Sequence, residues 1–118
     1  MAPSDTEADT YPPGTTGFKP VPLIKLPFQS IVVASTNDYY VTTARAKLFA
    51  DNWGSQFVNI ADAGHINVAS GFGVWPAGLE LLKQLDKWYE MNALKGKQHA
   101  VKPIIYYDIF SFFWISAT

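Results

Sequence analysis

Asp38 and His65 are the residues of this sequence whose types and placing best suit proton-transfer chemistry. Asp38 comes just after the apolar, β-branched run Ser30-Ile31-Val32-Val33-Ala34-Ser35, and His65 follows a second run, Gln56-Phe57-Val58-Asn59-Ile60, beside a glycine. An imidazole can carry a proton between a nucleophile and a leaving group. A carboxylate at its other ring nitrogen fixes the tautomer and stabilises the imidazolium formed in transit. The twenty-seven positions from Asp38 to His65 leave room for a helix, a strand and a loop to bring the chain back to the same edge of a sheet. Plainer readings stand beside this one. Asn37-Asp38 suits a turn that caps the next helix, and a loop histidine is often satisfied by backbone.

A nucleophile is the missing partner. The Gly-x-Ser-x-Gly pattern, which exposes a serine on a sharp strand-to-helix turn, does not occur upstream of Asp38. Ser35 ends the first run and Ser70 stands in Ser70-Gly71. Neither has the strained turn and adjacent amides that activate a hydroxyl and bind an oxyanion, so neither is expected to attack a substrate. The two histidines, His65 and His99, are separated by a whole expected helix, and there are no cysteines. A helix-borne zinc pair or a thiolate site is therefore not available, and no metal or cofactor is expected.

The elements that must position Asp38 and His65 follow from periodicity. Residues 30–35 read as a buried strand and residues 56–60 as a second strand. Between them Val41, Ala44, Leu48 and Phe49 recur at mostly helical spacings, which predicts a helix over about 42–52. Asp38 or a nearby threonine is expected to cap its start, and Gly54 suits the left-handed position after its end. Strand, helix and strand form a βαβ unit with parallel strands. The stretch from Ala61 to Trp75 is too glycine-rich for regular structure. Pro76 then opens a helix expected to run to about residue 95, with Leu81, Leu82, Leu85, Trp88 and Tyr89 on its apolar face and Gly96 as its stop. The alternation predicts an α/β fold around an open parallel sheet.

Six of the eight prolines fall before residue 30. Residues 1–29 therefore read as a proline-rich loop, either a flexible leader or a long connection crossing the end of the sheet. Residues 30–96 carry the α/β pattern. Residues 97–118 hold an aromatic tail, Ile104 to Ile115, that reads as an extra strand, a terminal helix over exposed core, or an interaction surface.

The bulk numbers narrow the partners. Length suits one domain: 118 residues with a net charge of −1. No electrostatic case exists for nucleic acid or an anionic membrane. The tail is shorter than a bilayer span and carries Asp108, so no membrane span is expected. The acidic, polar opening residues do not resemble a secretory signal, and a cytoplasmic location is expected.

From about Ala2 to Leu85 the sequence resembles the small serine-hydrolase family of the α/β-hydrolase fold that includes the retinoblastoma-binding-protein-nine type. The segments that carry the resemblance are Leu26-Pro27-Phe28-Gln29-Ser30-Ile31-Val32-Val33-Ala34-Ser35-Thr36-Asn37-Asp38 and Ala63-Gly64-His65-Ile66-Asn67, with Trp53-Gly54 and Ser70-Gly71-Phe72-Gly73-Val74-Trp75-Pro76 in support. Where the family commonly has proline after its acidic residue, Tyr39 stands here. The resemblance implies the C-terminal portion of an α/β-hydrolase fold, with Asp38 as the triad acid, His65 as the triad base, and Asn67 with the glycine-rich loop shaping the floor near His65. It implies ester or amide hydrolysis through an acyl-enzyme, on a small acyl ester or amide substrate. It also implies that Met1-Ala2-Pro3-Ser4-Asp5 corresponds to the end of an internal strand, so that the first strands, the oxyanion donors and the nucleophile elbow would precede it. On that reading the isolated chain is catalytically incomplete and its uncovered sheet edge is prone to self-association. The alternative is a non-catalytic interaction module that uses the sheet edge and the aromatic tail.

Overall fold

Four consecutive apolar residues, three of them β-branched, make β1 (Ile31–Ala34), and all four are buried. In this computed structural model residues 3–14, 17 and 19–95 are described, together with the backbone of 104–105 and 114–115. β1 pairs in parallel with β2 (Gln56–Asn59), in the register Ile31 with Gln56 through Ala34 with Asn59. Pairing continues one step past each end. Gln56 N donates to Ser30 O and Ile60 N to Ala34 O, both at 2.9 Å. The expected strands at 30–35 and 56–60 are thus present with slightly shorter cores.

α1 (Thr43–Trp53) makes the crossover between them. Thr42 is its cap, its hydroxyl accepting from Arg45 N at 3.2 Å. Gly54 ends it at φ 71°, where a side chain would be strained, and its N–H returns to Ala50 O. The buried face is Ala46, Phe49 and Ala50, packed with Val32 and Ala34 of β1 and with Val41. Ala44 and Leu48, two of the residues whose spacing predicts this helix, are exposed, unlike Val41 and Phe49. The two alanines explain the difference. Small residues at i and i+4 let the helix backbone approach β1, and Phe49 between them fills the gap. Leu48 sits about 100° round the helix from Phe49, on the solvent side. The Phe49 ring stacks on Trp53, 5.1 Å between centroids.

Trp53 also fastens the proline-rich segment. Its indole N–H donates to Pro22 O at 2.7 Å, and Leu26 N donates to Trp53 O at 2.9 Å. Further upstream, Asp5 N donates to Tyr40 O at 2.8 Å, and Arg45 pairs with Asp5 and Glu7. The segment is held near both ends rather than trailing as a leader.

The chain divides into two compact units, residues 1–75 and 76–118. In the second, α2 (Pro76–Leu94) starts at proline, where the missing N–H costs nothing. Tyr89 is buried, while Leu81, Leu82, Leu85 and Trp88 are half-buried. Glu80, Lys83, Gln84 and Lys87 are exposed, on the face the pattern predicts. Gly96, the expected stop, lies outside the described residues. In the tail, β3 (Ile104–Ile105) and β4 (Trp114–Ile115) pair antiparallel. The rest of the tail, and with it the expected covering or interaction role, lies outside the described residues. Among the described residues no helix is long and apolar enough to cross a membrane.

Candidate active site

Parallel pairing brings the carboxyl ends of β1 and β2 to one edge, and the two loops that leave that edge carry Asp38 and His65. Thr36 N donates to Ala61 O at 2.8 Å, which extends the strand pairing into both loops. The His65 Nδ1 atom then lies 2.9 Å from Asp38 Oδ2 and 3.1 Å from Oδ1. The Asp38 side chain has no solvent exposure, and that of His65 is 22% exposed. A carboxylate has no proton to give, so Nδ1 carries the hydrogen and Nε2 is left as an acceptor. Asp38 Oδ1 also accepts Tyr40 N at 2.8 Å. Asp38 therefore makes the turn expected of Asn37-Asp38 and meets the imidazole as well, while the helix cap falls to Thr42. The Tyr40 ring packs against the imidazole, 4.7 Å between centroids.

The loop that presents His65 has little apolar burial and is held by polar latches. Ser35, almost fully buried, accepts Ala63 N at 2.8 Å and donates to Asn37 Oδ1 at 2.8 Å. Asn37 Oδ1 also accepts Gly64 N at 2.7 Å. On the far side of the histidine, Ser70 Oγ accepts His65 N at 3.1 Å and donates to Asn67 Oδ1 at 2.9 Å. Asn67 caps a single 3₁₀ turn, Val68–Ser70, by accepting Ser70 N at 3.0 Å. That turn is regular structure in a stretch expected to have none. Gly64 has φ 56°, and a Cβ there would lie 2.5 Å from Ser70 Oγ. Ile66, on the other side of His65, is held at φ 55° although β-branched. Such a backbone persists only where its surroundings fix it, and it marks a constrained presentation of the histidine.

Both serines weighed from the sequence thus have their protons committed elsewhere, Ser35 to Asn37 and Ser70 to Asn67. A third serine comes closer to the base. Ser4 Oγ lies 3.4 Å from His65 Nε2. No local motif marks it, because its position comes from the Asp5–Tyr40 bond between segments far apart in sequence. The signal that could have found it is the likeness of residues 1–5 to a strand end, since strand ends at this edge converge on the site. Asp38 and His65 supply two donors, short of the three or four protein ligands of a zinc site, and among the described residues no cluster of three or more His, Cys, Asp or Glu forms. The arrangement can orient an imidazole, hold it as one tautomer and stabilise its charge on protonation.

Comparisons with known proteins place the chain in a family. The serine hydrolase family model matches residues 1–84. The chain belongs to the serine hydrolase family. Among solved structures, a YdeN-like hydrolase from Pectobacterium atrosepticum is 35% identical with a TM-score of 0.54, and the match covers 56% of this chain and 36% of that one. The fold is accordingly a partial α/β-hydrolase fold, and the chain spans about a third of that hydrolase. No curated protein matches the sequence.

Proposed function

We propose that this chain carries the acid and base of a serine-hydrolase site, with His65 as general base and Asp38 as the carboxylate that orients it. The reaction is ester or amide hydrolysis through an acyl-enzyme, on a small acyl substrate, of the kind implied by the resemblance to the retinoblastoma-binding-protein-nine type. The observation that carries the reading is the 2.9 Å contact between His65 Nδ1 and a fully buried Asp38 carboxylate, at the ends of adjacent parallel strands. A cysteine-free sequence suits a reducing compartment, and the reading includes a cytoplasmic location. These 118 residues contain no Gly-x-Ser-x-Gly elbow, and with it they lack the oxyanion donors the elbow brings, so they do not sustain turnover alone.

Imidazole nitrogen NMR tests the acid–base pairing. The neutral His65 ring should be the Nδ1–H tautomer, and Asp38→Asn should lose that preference, because an amide can donate as well as accept. A neutral ring protonated on Nε2, or one indifferent to Asp38→Asn, would overturn the pairing. A p-nitrophenyl acetate assay tests the rest. Product release should stop at or below one equivalent per chain, and sustained turnover that disappears in His65→Gln would overturn the claim of incompleteness.

A further inference from the structure

Among the described residues, Ser4 places its hydroxyl 3.4 Å from Nε2 of the base. Of the three serines around His65, two are fixed as latches whose protons point to asparagine oxygens. Ser4 Oγ instead faces Nε2, the nitrogen left without a hydrogen once Nδ1 serves Asp38. The position is anchored on both sides. Pro3 and Thr6 are buried, Asp5 N is bound to Tyr40 O at 2.8 Å, and the Asp5 carboxylate lies 3.1 Å from Arg45 Nε. Tyr40 also carries the ring that packs on the imidazole, so a single residue ties Ser4's neighbour to His65. The 3.4 Å separation is longer than a reacting nucleophile–base hydrogen bond of about 2.6–3.2 Å, in the looser range common for ligand-free sites.

We propose that Ser4 is a nucleophile for His65 in this chain, accepting one acyl or phosphonyl group from an activated ester-class electrophile without turning over. The inference rests on the acid–base reading of Asp38 and His65. With a fluorophosphonate the Ser4 Oγ–P bond forms as the P–F bond breaks, and fluoride leaves with the bonding electron pair. The hydroxyl proton passes to His65 Nε2, and Asp38 stabilises the imidazolium until the proton is lost to water. With an aryl ester the Oγ–C bond forms, the C–O bond to the aryl group breaks, and the same proton goes to the departing aryl oxide. The adduct then persists. Each missing oxyanion donor costs roughly 10²–10³ in rate, and attack by water on an unactivated acyl-serine needs that help more than the first step with a reactive leaving group does.

The test is fluorophosphonate labelling of the full chain, read by intact mass and by peptide mapping. One adduct per chain, mapped to Ser4, is expected, with labelling in Ser4→Ala and in His65→Gln reduced at least tenfold. No adduct, an adduct on another residue, or a Ser4 adduct that forms equally fast in His65→Gln would each overturn the proposal. Mapping in the unaltered chain decides the site even where a variant fails to fold. An Nδ1–H imidazole that responds to Asp38→Asn, together with an unlabelled Ser4, would sink this proposal and leave the acid–base reading intact. A wrong tautomer would take both down.

Discussion

The packing beneath β1 and the loop that presents His65 lie in the same compact unit and are held by different physics. Under β1, Val32, Ala34, Ala46, Phe49 and Ala50 are each no more than 3% exposed, and the stabilisation is burial of apolar surface. Around His65 the backbone is fixed instead by side-chain oxygens: Ser35 on Ala63, Asn37 on Gly64, Ser70 on His65 itself. Burial is non-directional and sets stability. Hydrogen bonds are directional and set where a ring points. The proposed acid–base pair needs the second property, because a proton-transfer geometry off by an ångström loses most of its effect.

The largest expected effect separates the two regions. Phe49→Ala removes the only large apolar side chain that is fully buried among the described residues and leaves a cavity between α1 and β1. A loss of about 3–5 kcal/mol is expected, a large share of the stability of so small a unit. Chemical denaturation should show a much lower midpoint, with His65 signals lost in the same transition as the core. A midpoint within error of the parent chain would break the claim that this core carries the stability.

The middle effect sharpens the contrast. Gly64→Ala puts a Cβ at φ 56°, 2.5 Å from Ser70 Oγ and 3.0 Å from Ser70 Cβ. The left-handed backbone costs a side chain about 1–2 kcal/mol. Ser70 must also move, which takes its oxygen off His65 N. The denaturation midpoint should fall less than for Phe49→Ala, while the His65 ring resonances and their response to Asp38→Asn should change outright. An unaltered His65 spectrum would mean the latches do not set the ring, and that burial holds the loop after all.

Legibility in the sequence follows the same division. β1 and β2 declare themselves as short runs of β-forming residues, and both long helices by the period that burial imposes on residue types. Even there, the helical spacing that includes Leu48 misses the buried face, since Ala46 and Ala50 matter for being small rather than for being apolar. Asp38 and His65 are legible because each follows a strand and β1 and β2 share an edge. The latches are not. Ser35 and Ser70 invite a reading as weak nucleophiles, yet their work is to hold backbone amides, and that depends on loop conformations no period encodes. The Val68–Ser70 turn is hidden for the same reason, since it exists through the Asn67 cap. Ser4 is least legible of all, because only tertiary hydrogen bonding brings it to a base 61 positions away.

The smallest effect belongs to charge on an exposed surface, where neither burial nor a latch operates. Glu80 and Lys83 pair across one turn of α2 at 2.6 Å, both well exposed. The hydrogen bond from Lys83, then its charge, holds the Glu80 carboxyl below its ordinary value of 4.5, with desolvation opposing and the charge of Lys87 adding least. A carboxyl depressed in the folded state contributes stability above its unfolded value and loses it as pH falls through the folded one. Any difference between the parent chain and Glu80→Gln should therefore be present at neutral pH, shrink below about 4.5 and vanish in stronger acid. Water and salt screen a pair this exposed, so at neutral pH the two denaturation midpoints should agree within error, and high salt should erase what remains. A Glu80→Gln loss at neutral pH as large as that of Gly64→Ala would overturn the ordering. Stability would then rest on surface charge as much as on the loop latches, and the distinction drawn between the core beneath β1 and the His65 loop would no longer describe how this chain is held.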